Sequence, residues 1–496
     1  MTKQEYLGEG GRLAGGPAHE LVAAAYVHET GHGPRLAHDL SLADLAHAVA
    51  LFEGGAIDDA RARALAGGLL ELHRIPPAEF PWNPQLGDAF NSREAELVRL
   101  IGRDAAGWLS AGRPRREAFR VAVRLFARRS VLELQTALLD AADHLVAHAR
   151  AHATDLAADF TYLQAAQPTT VGHLLLAYAY PLMRDADRLQ RLHGELDRSV
   201  AGAGGSAGSR WPLDRGLLAE LHGAHGLVTH AKDAAWQWDV YVELLAALAI
   251  SATHLSQLGQ DFEIYASRQF GLVELDDAHS RASALMPQKK NPYALAAIRT
   301  QAGQASGDLA AALTTLHTGS ARTDHFHLLN GTVPRALDEA VANARLAAAV
   351  LERMRIDSAR WGAIARDGFT NAADVADVLA ADHGIDYRSA HTVVGLAVKQ
   401  IVAAGAGELT RDAIAGASRE LLVEPLAVDA AAITPEACVE ARRQVGSSAS
   451  AAMQQMLTEC EQLIADGRSF GAHASAHASE AEDRLLQRAS ALASAR

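Results

Sequence analysis

Residues 279–299, HSRASALMPQKKNPYALAAIR, bring together side chains that can bind an anion and move a proton. Ser283 carries a hydroxyl, and Lys289 and Lys290 carry positive charges just before Pro292 opens an apolar run. Proline is favoured in the first turn of a helix because its missing N–H has no intrahelical partner there. The free N–H groups and dipole of a helix N-terminus attract a carboxylate or phosphate. The segment therefore predicts an anion site; the alternative is a solvated loop with a capping turn.

Long helices are the elements that must position this segment. Apolar residues make up 49% of the chain, aromatic residues only 5%, and no alternation of period two persists. Several segments combine apolar residues at helical spacing with enough length for many turns. These segments are residues 134–145, 171–199, 233–267 and 293–318. The pattern predicts an all-α fold built around a long-helix bundle.

The length of 496 residues exceeds one ordinary core and indicates several domains. Glycine and proline interrupt the helical pieces of the first hundred residues, and a new block begins near Asp357. We therefore predict an N-terminal helical domain at 1–108, a central bundle at 109–356 and a C-terminal helical domain at 357–496.

Composition narrows the class of partner and the compartment. The net charge of -13 argues against a nucleic acid as the main partner, so an anionic substrate requires a local basic pocket. Two cysteines, Cys438 and Cys460, cannot form a disulfide framework. The N-terminus lacks the apolar core of a signal peptide, and the apolar stretch 244–250 is too short to span a bilayer. We expect a cytoplasmic protein that does not bind membranes.

Two histidines in the C-terminal tail have the spacing of a possible metal pair. His473 and His477 are four residues apart, but no third ligand is evident and an exposed helical face explains them better. The sequence predicts neither a metal nor a cofactor.

The motif Ser-x-x-Met-Pro-x-Lys-x-Asn-Pro at 283–292 resembles the signature loop of the fumarase, aspartase and argininosuccinate lyase superfamily. MPQKKNP is the form found in argininosuccinate lyases, and residues 368–391 resemble the C-terminal domain of those enzymes. The resemblance implies three all-helical domains and a homotetramer whose active sites combine segments from three subunits. It also implies that Ser283 is the catalytic base and that Lys289 and Asn291 contact substrate carboxylates.

A second motif lies at 110–118, where SAGRPRREA is similar to the family's HTGRSRNDQ. Arg113 and Arg115 match the family's arginines, and two guanidinium groups can grip a carboxylate. Pro114 and Arg116 replace the family's Ser and Asn, which implies an altered substrate fit. The alternative is a basic helix start on the surface.

The third motif, TYLQAAQP at 161–168, is similar to the family's Thr-His-Leu-Gln-x-Ala-Gln-Pro. Thr161 and Gln164 match residues that orient the substrate, but Tyr162 replaces the His associated with proton transfer. The Glu that pairs with this His in the superfamily is Ala296 here. Because both halves of the pair are absent, we infer a coherently remodelled site. Tyr162 is interpreted as a proton donor, as a space-filling ring or as core packing.

Two further segments differ from the family sequence, at positions that imply altered contacts to the distal part of the substrate. Residues 236–239 read Trp-Gln-Trp-Asp where Ser-Asp-Arg-Asp is usual, and residues 321–326 replace a family segment that helps to hold the substrate. The contacts to a guanidinium end therefore look lost.

These observations predict a carbon–nitrogen lyase that forms fumarate from an N-substituted aspartate other than argininosuccinate, or runs the reverse addition. A base must remove a weakly acidic proton while fixed cations and N–H donors stabilise the resulting dianion. Three alternatives are argininosuccinate lyase itself, a carboxymuconate-type cycloisomerase, and a catalytically silent scaffold like the lens crystallins related to argininosuccinate lyase. The identity of the amine, the direction of the reaction and the proton donor stay open.

Overall fold

A computed structural model describes Leu13 and residues 15–319, 323–422 and 424–495. Ala321 and Arg322, part of one altered family segment, lie outside the described residues. The N-terminal helices are α1 (His19–Leu21), α2 (Val27–Gly31), α3 (Gly33–Glu53), α4 (Asp59–Arg74), α5 (Ala89–Ile101) and α6 (Arg103–Ala106). A π-helical turn at Val22–Tyr26 and 3₁₀ turns at Pro84–Leu86 and Gly107–Ser110 complete this region. Carboxylate caps start two of the helices, because Asp58 accepts from the Arg61 N–H and Asp88 from the Asn91 N–H.

Long helices form the centre of the molecule. The central elements are α7 (Arg115–Ala151), α8 (Val171–Leu196), α9 (Arg215–Leu221), α10 (Ala231–Trp236), α11 (Asp239–Tyr265), α12 (Tyr293–Leu316) and α13 (Asp324–Arg353). α7, α8, α11, α12 and α13 pack side by side around fully buried residues such as Leu138 and Leu337. The predicted all-α fold with a long-helix bundle is confirmed. Pro292 is the residue before the first turn of α12, as its position in the sequence indicated.

The bundle has two ends that carry different groups. At the start of α7 and α13, the Arg116 guanidinium lies 5.3 Å from the centre of the Phe326 ring. Near their other ends, a His148 ring nitrogen lies 2.8 Å from the Leu351 carbonyl oxygen, so the two helices run parallel. At 37 residues, α7 is about 55 Å long. We call the end of the bundle at the start of α7 the arginine end, and the end where α7 finishes the hairpin end.

Short strands lie between the helices and were not predicted, because none is long enough to show a pattern of period two. β1 (Leu156–Thr161) and β2 (Gln164–Thr170) form an antiparallel hairpin directly after α7. The other pairs contain two residues per strand: β3 (Arg198–Ser199) with β4 (Gly226–Leu227), β5 (Val273–Glu274) with β8 (Arg355–Ile356), and β6 (Arg281–Ala282) with β7 (Lys290–Asn291). A 3₁₀ turn, Asp277–His279, precedes β6.

The C-terminal helices pack in two different regions of the molecule. α14 (Ser358–Asp367), α15 (Ala372–His383), α16 (Tyr387–Ala403), α17 (Arg411–Leu422) and α18 (Pro435–Ala441) follow β8. α15, α16 and α17 surround a small core of their own that includes Val375, Val393 and Ile414. The 45-residue helix α19 (Ser450–Ser494) packs instead against α7, α8, α3 and α4. The domain boundaries at 108 and 356 stay predictions.

One described helix, α11, is long and apolar enough to cross a bilayer by length and composition. In its most apolar stretch 56% of the residues are buried inside the protein, and a core helix passes the same test. This feature carries no conclusion about membranes.

Candidate active site

The predicted catalytic loop is a small closed hairpin at the hairpin end of the bundle. Ala282 pairs with Lys290 and Arg281 with Asn291, so that the seven residues 283–289 form the loop between β6 and β7. The Asn291 side chain strengthens the closure by donating to the Arg281 carbonyl oxygen over 2.8 Å. The loop is tied to β5, since Lys290 Nζ lies 3.1 Å from Glu274 Oε1.

Ser283 occupies the first position of this loop, and its hydroxyl oxygen is held by backbone groups. The oxygen accepts from the N–H of Leu285 over 3.3 Å and from the N–H of Met286 over 3.0 Å. Hydrogen bonds from two N–H donors stabilise the charged form of an acceptor. The turn therefore favours the alkoxide that a serine needs in order to act as a base.

The two lysines of the loop differ in their partners. Lys290 lies 2.7 Å from Asp277 and 3.1 Å from Glu274, and the hydrogen bond to Asp277 raises the pKa of its ammonium group. Lys289 is exposed and forms no ion pair with any residue that the structure describes. Lys289 is therefore the lysine that can meet a carboxylate from outside, as the family motif implies.

Thr161, Tyr162 and Gln164 form the tip of the β1–β2 hairpin. Thr161 pairs with Gln164, which leaves Tyr162 and Leu163 as the two turn residues with φ angles of 53° and 59°. Left-handed backbone at residues with large side chains is uncommon, and such strain clusters at functional sites. The Tyr162 side chain is 99% exposed, so its interpretation as core packing is wrong within one chain. Thr161 and Gln164 are exposed beside it.

Arg113 binds a carboxylate of its own chain. Its side chain is buried, with Nη2 2.6 Å from Asp44 Oδ1 and Nη1 3.0 Å from the Ala43 carbonyl oxygen. Asp44 also binds Arg93, so that two guanidinium groups share one buried carboxylate. Within one chain the carboxylate partner of Arg113 is therefore internal, and the role of Arg113 as a ligand of a substrate carboxylate stays a prediction.

Arg115, in contrast, faces an open cavity at the arginine end. Its side chain is 43% exposed, and its Nε lies 3.5 Å from Asp88 Oδ2. The cavity has a volume of about 280 Å³. Its walls include Arg115, Arg116, Trp236 and Phe326, and the glycine-rich residues 204–205. One arginine of the predicted pair therefore stays available to a ligand.

A buried arginine in the same cavity wall was missed by the sequence reasoning. Arg120 lies one helical turn after Arg116 on α7 and also lines the cavity. The only signal in the sequence was a charged residue at i+4 from another inside an apolar helix, which is common on helix surfaces.

One chain does not bring the predicted residues together. Arg115 lies at the arginine end, whereas the 161–164 turn and Ser283 lie at the hairpin end, about 55 Å away along α7. The family resemblance implies that these residues meet in one site only when segments of different subunits combine. Among the described residues, no group of three or more His, Cys, Asp or Glu side chains is placed to hold a metal ion.

Comparison with known proteins adds to this geometry. The profile of the lyase family matches residues 56–307, and that of the argininosuccinate lyase C-terminal region matches residues 369–440. The chain belongs to the lyase family. This lyase is 32% identical over 451 residues to argininosuccinate lyase of Methanoculleus marisnigri, covering 90% of the chain and 91% of the relative. It is 34% identical over 456 residues to argininosuccinate lyase of Halobacterium salinarum, covering 90% of each.

Solved structures of other enzymes share the fold of this lyase. It matches a variant of EDDS lyase with bound fumarate at a TM-score of 0.84 and 25% identity, covering 97% of both chains. It matches 3-carboxy-cis,cis-muconate lactonizing enzyme of Pseudomonas putida at a TM-score of 0.66 and 22% identity, covering 86% of this chain and 95% of the other, which shows a shared fold alone. The protein is an argininosuccinate lyase-like enzyme of the fumarate-forming carbon–nitrogen lyase type.

Proposed function

We propose that this lyase releases fumarate from an N-substituted aspartate other than argininosuccinate, or adds an amine to fumarate in the reverse direction. The observation that carries the proposal is the Ser283 hydroxyl, which accepts two backbone N–H bonds in a loop that also presents the unpaired Lys289. A scaffold without catalysis has no need of this arrangement.

Each residue has a role in this reaction. The Ser283 alkoxide removes a proton from the carbon next to the carboxylate that becomes a dianion, and Lys289 and the free N–H of the Asn291 amide stabilise that charge. The electron pair then forms the double bond of fumarate while the carbon–nitrogen bond breaks. Tyr162 donates a proton to the leaving nitrogen, and Thr161 and Gln164 orient the substrate. Arg115 binds the second carboxylate.

The site requires more than one copy of the chain. A substrate the size of an aspartate cannot span the length of α7, so Ser283 and Arg115 act on one molecule only if they belong to different copies. The surface supports assembly, since the large apolar side chains of Tyr162, Leu163 and Leu285 are exposed at the hairpin end. α12 buries only five of its 24 residues within the chain, although alanine dominates it. We propose the homotetramer that the family resemblance implies.

The cavity at the arginine end disfavours the guanidinium of argininosuccinate. Arg115, Arg116 and Arg120 supply three positive charges to its wall. Glu117, the carboxylate among the described residues of its wall, already accepts from the N–H groups of Gly202 and Gly204, over 2.7 Å and 2.6 Å. A cationic group in this cavity would meet repulsion without a free carboxylate to offset it.

The test follows fumarate by ultraviolet absorbance. Purified wild-type protein and the Ser283→Ala variant are assayed with argininosuccinate, aspartate, adenylosuccinate and other N-substituted aspartates, and with fumarate plus a panel of amines. We expect turnover of an N-substituted aspartate that vanishes in the variant. Turnover of argininosuccinate as the best substrate would overturn the substrate assignment. A folded oligomer without any fumarate chemistry would favour the cycloisomerase or the silent scaffold.

A further inference from the structure

A cavity of about 330 Å³ lies where α19 packs against α3, α7 and the end of α9. The described residues that line it all differ from those that line the cavity at the arginine end. Its apolar wall consists of leucines from all four helices, namely Leu42, Leu125, Leu132, Leu221 and Leu485. A cavity of this size can enclose a small organic molecule.

His222 lines this cavity, and its ring is unpartnered in the part of the chain that the structure describes. The residue is 7% exposed, and neither ring nitrogen has a hydrogen-bond partner. The carbonyl oxygens of Leu218 and Leu42 face the ring, but neither forms a hydrogen bond of ordinary geometry. Burial lowers the pKa of His222 to about 3, so the ring is neutral at pH 7, with one N–H donor and one acceptor nitrogen. Because a buried polar group without a partner costs free energy, the ring favours a ligand with a hydroxyl group, which can both donate and accept.

Two arginines also line the cavity, and both already have carboxylate partners. Arg128 Nη1 lies 2.8 Å from Asp197 Oδ1, and its Nη2 donates to the His222 carbonyl oxygen over 2.6 Å. Arg129 donates to the two carboxylate oxygens of Asp39 over 2.9 Å and 3.1 Å. Paired in this way, neither guanidinium requires an anion from outside the chain.

The carboxylates of α19 leave an excess of negative charge at the exposed side of the cavity. Glu482 Oε2 lies 3.3 Å from His38 Nε2, and this partner carries a charge only when it is protonated. Asp483 is exposed and forms no ion pair with any residue in the described ranges. Ser479 and Ser475 line the cavity one and two turns earlier on the same helix. A negative rim of this kind attracts a cation.

We propose that this cavity binds a small organic cation that carries a hydroxyl group at the end opposite its charge. The ammonium group lies at the rim beside Glu482 and Asp483, and the leucines cover the apolar body. The hydroxyl group bonds to the neutral ring of His222. None of these residues has a role in fumarate chemistry, so this binding site does not depend on the proposed function.

The experiment measures binding by calorimetry at low ionic strength, with the full-length protein and without fumarate. Tyramine carries an ammonium group and a phenolic hydroxyl at opposite ends of one apolar body. Phenethylamine lacks the hydroxyl, tyrosol lacks the charge, and 4-hydroxyphenylacetate carries a negative charge instead. We expect the Kd of tyramine to be about 10-fold lower than that of tyrosol, because the carboxylates attract the ammonium group. It should be about 5-fold lower than that of phenethylamine, because the hydroxyl meets the unpartnered ring.

Two variants assign each preference to one residue. In Asp483→Asn we expect the preference for tyramine over tyrosol to fall to about 2-fold, while the preference over phenethylamine stays. In His222→Leu we expect the reverse pattern, with Tm unchanged or raised because an apolar side chain replaces an unpartnered polar ring. The matched control is Glu480→Gln, since Glu480 lies on α19 within 3.6 Å of Arg484 and does not line the cavity. This control should bind all four probes as the wild type does.

Several results would overturn the proposal. If no probe binds the wild type, or all four bind equally well, the cavity does not select an organic cation. Tightest binding of 4-hydroxyphenylacetate would show that the arginines attract the ligand. Tyramine binding that Asp483→Asn leaves unchanged would place the probe elsewhere on the protein, and a preference over phenethylamine that survives His222→Leu would refute the contact with the ring. Asp483 is exposed, so its variant is expected to fold even if the His222 variant does not.

Discussion

The hydroxyl oxygen of Ser283 lies 3.0 Å from the backbone nitrogen of Met286 and accepts its hydrogen bond. A second bond, from the Leu285 N–H, reaches the same oxygen over 3.3 Å. Because two N–H donors favour the charged form of an acceptor, this geometry supports the proposal that Ser283 is the base. The first prediction concerns this hydroxyl.

Ser283→Ala should lower kcat for fumarate formation by about 10³-fold or more, since it removes the base. Tm should stay close to the wild-type value because the loop is exposed. Ser280→Ala is the matched control, because Ser280 donates only to the Asp276 carbonyl oxygen over 3.0 Å. Equal loss of activity in both variants would point to disruption of the loop instead of loss of a base.

Two inactive variants should restore each other if copies of the chain share a site. At substrate concentrations well below KM we expect little activity from Arg115→Met, because its KM is raised, and from Ser283→Ala, because it lacks the proposed base. Co-refolded mixtures should recover about a quarter of wild-type activity through sites that draw both intact residues from different copies. The measurement is the fumarate assay on mixed assemblies of constant total concentration. Mixtures as inactive as their parents would refute a site shared between chains.

Tyr162→Phe tests the phenol as proton donor. The ring stays and the hydroxyl is lost, so we expect kcat to fall by about 100-fold with KM little changed. Tyr293→Phe serves as the control, since this exposed tyrosine at the start of α12 lies over Arg281 and has no assigned role in proton transfer. A Tyr162→Phe variant as fast as the wild type would leave only the space-filling interpretation.

Arg113→Met should destabilise the protein. The change leaves part of the buried Asp44 carboxylate without its partner, and we expect the free energy of unfolding to fall by about 3 kcal/mol. Arg115→Met, at a partly exposed arginine, should leave stability nearly unchanged while it raises KM. Chemical denaturation and kinetics of the two variants separate the roles. An unaltered stability with raised KM for Arg113→Met would support its role as a substrate ligand.

Acid should destabilise the junction of α8 and α19. Burial lowers the pKa of His193, packed 5.7 Å from the Phe470 ring, to about 4, whereas its unfolded value is 6.5. Between pH 6.5 and 4 the unfolded state binds a proton that the folded state does not, so stability falls as pH falls. Over this pH window the free energy of unfolding falls by about 3 kcal/mol. Denaturation of His193→Gln across this window should show a shallower slope, and parallel profiles would contradict the prediction.

Much of the fold follows from local pattern. Apolar periodicity located three long segments, and the structure places α8, α11 and α12 within them. Helical periodicity is a local property of the chain, which is why it can be read without tertiary contacts. The β1–β2 hairpin was missed because its strands have six and seven residues, and its turn places Tyr162 and Leu163 in a conformation that neither residue type favours.

The candidate site, like the fold, was predictable from the sequence only in part. Motif and residue type alone selected Ser283 over neighbouring serines and Lys289 over Lys290. In the structure Ser283 accepts from the Met286 N–H and Lys290 pairs with Asp277, and both choices stay predictions. The roles of the arginines depend on what surrounds them. Arg113 and Arg115 are two residues apart, yet one meets the buried Asp44 and the other an open cavity. Spacing in the chain carries no information about that difference.

By itself, the sequence determined the helical bundle, the family of lyases and the loop that carries the proposed base Ser283, because these depend on local periodicity and on a contiguous motif. Only the tertiary structure decided that Arg113 is buried against Asp44, that Arg120 is buried in the wall of a cavity, and that Arg115 and Ser283 lie at opposite ends of the bundle. Burial, pairing and separation along a helix of about 55 Å arise from contacts between distant segments, and these exist only once the chain has folded.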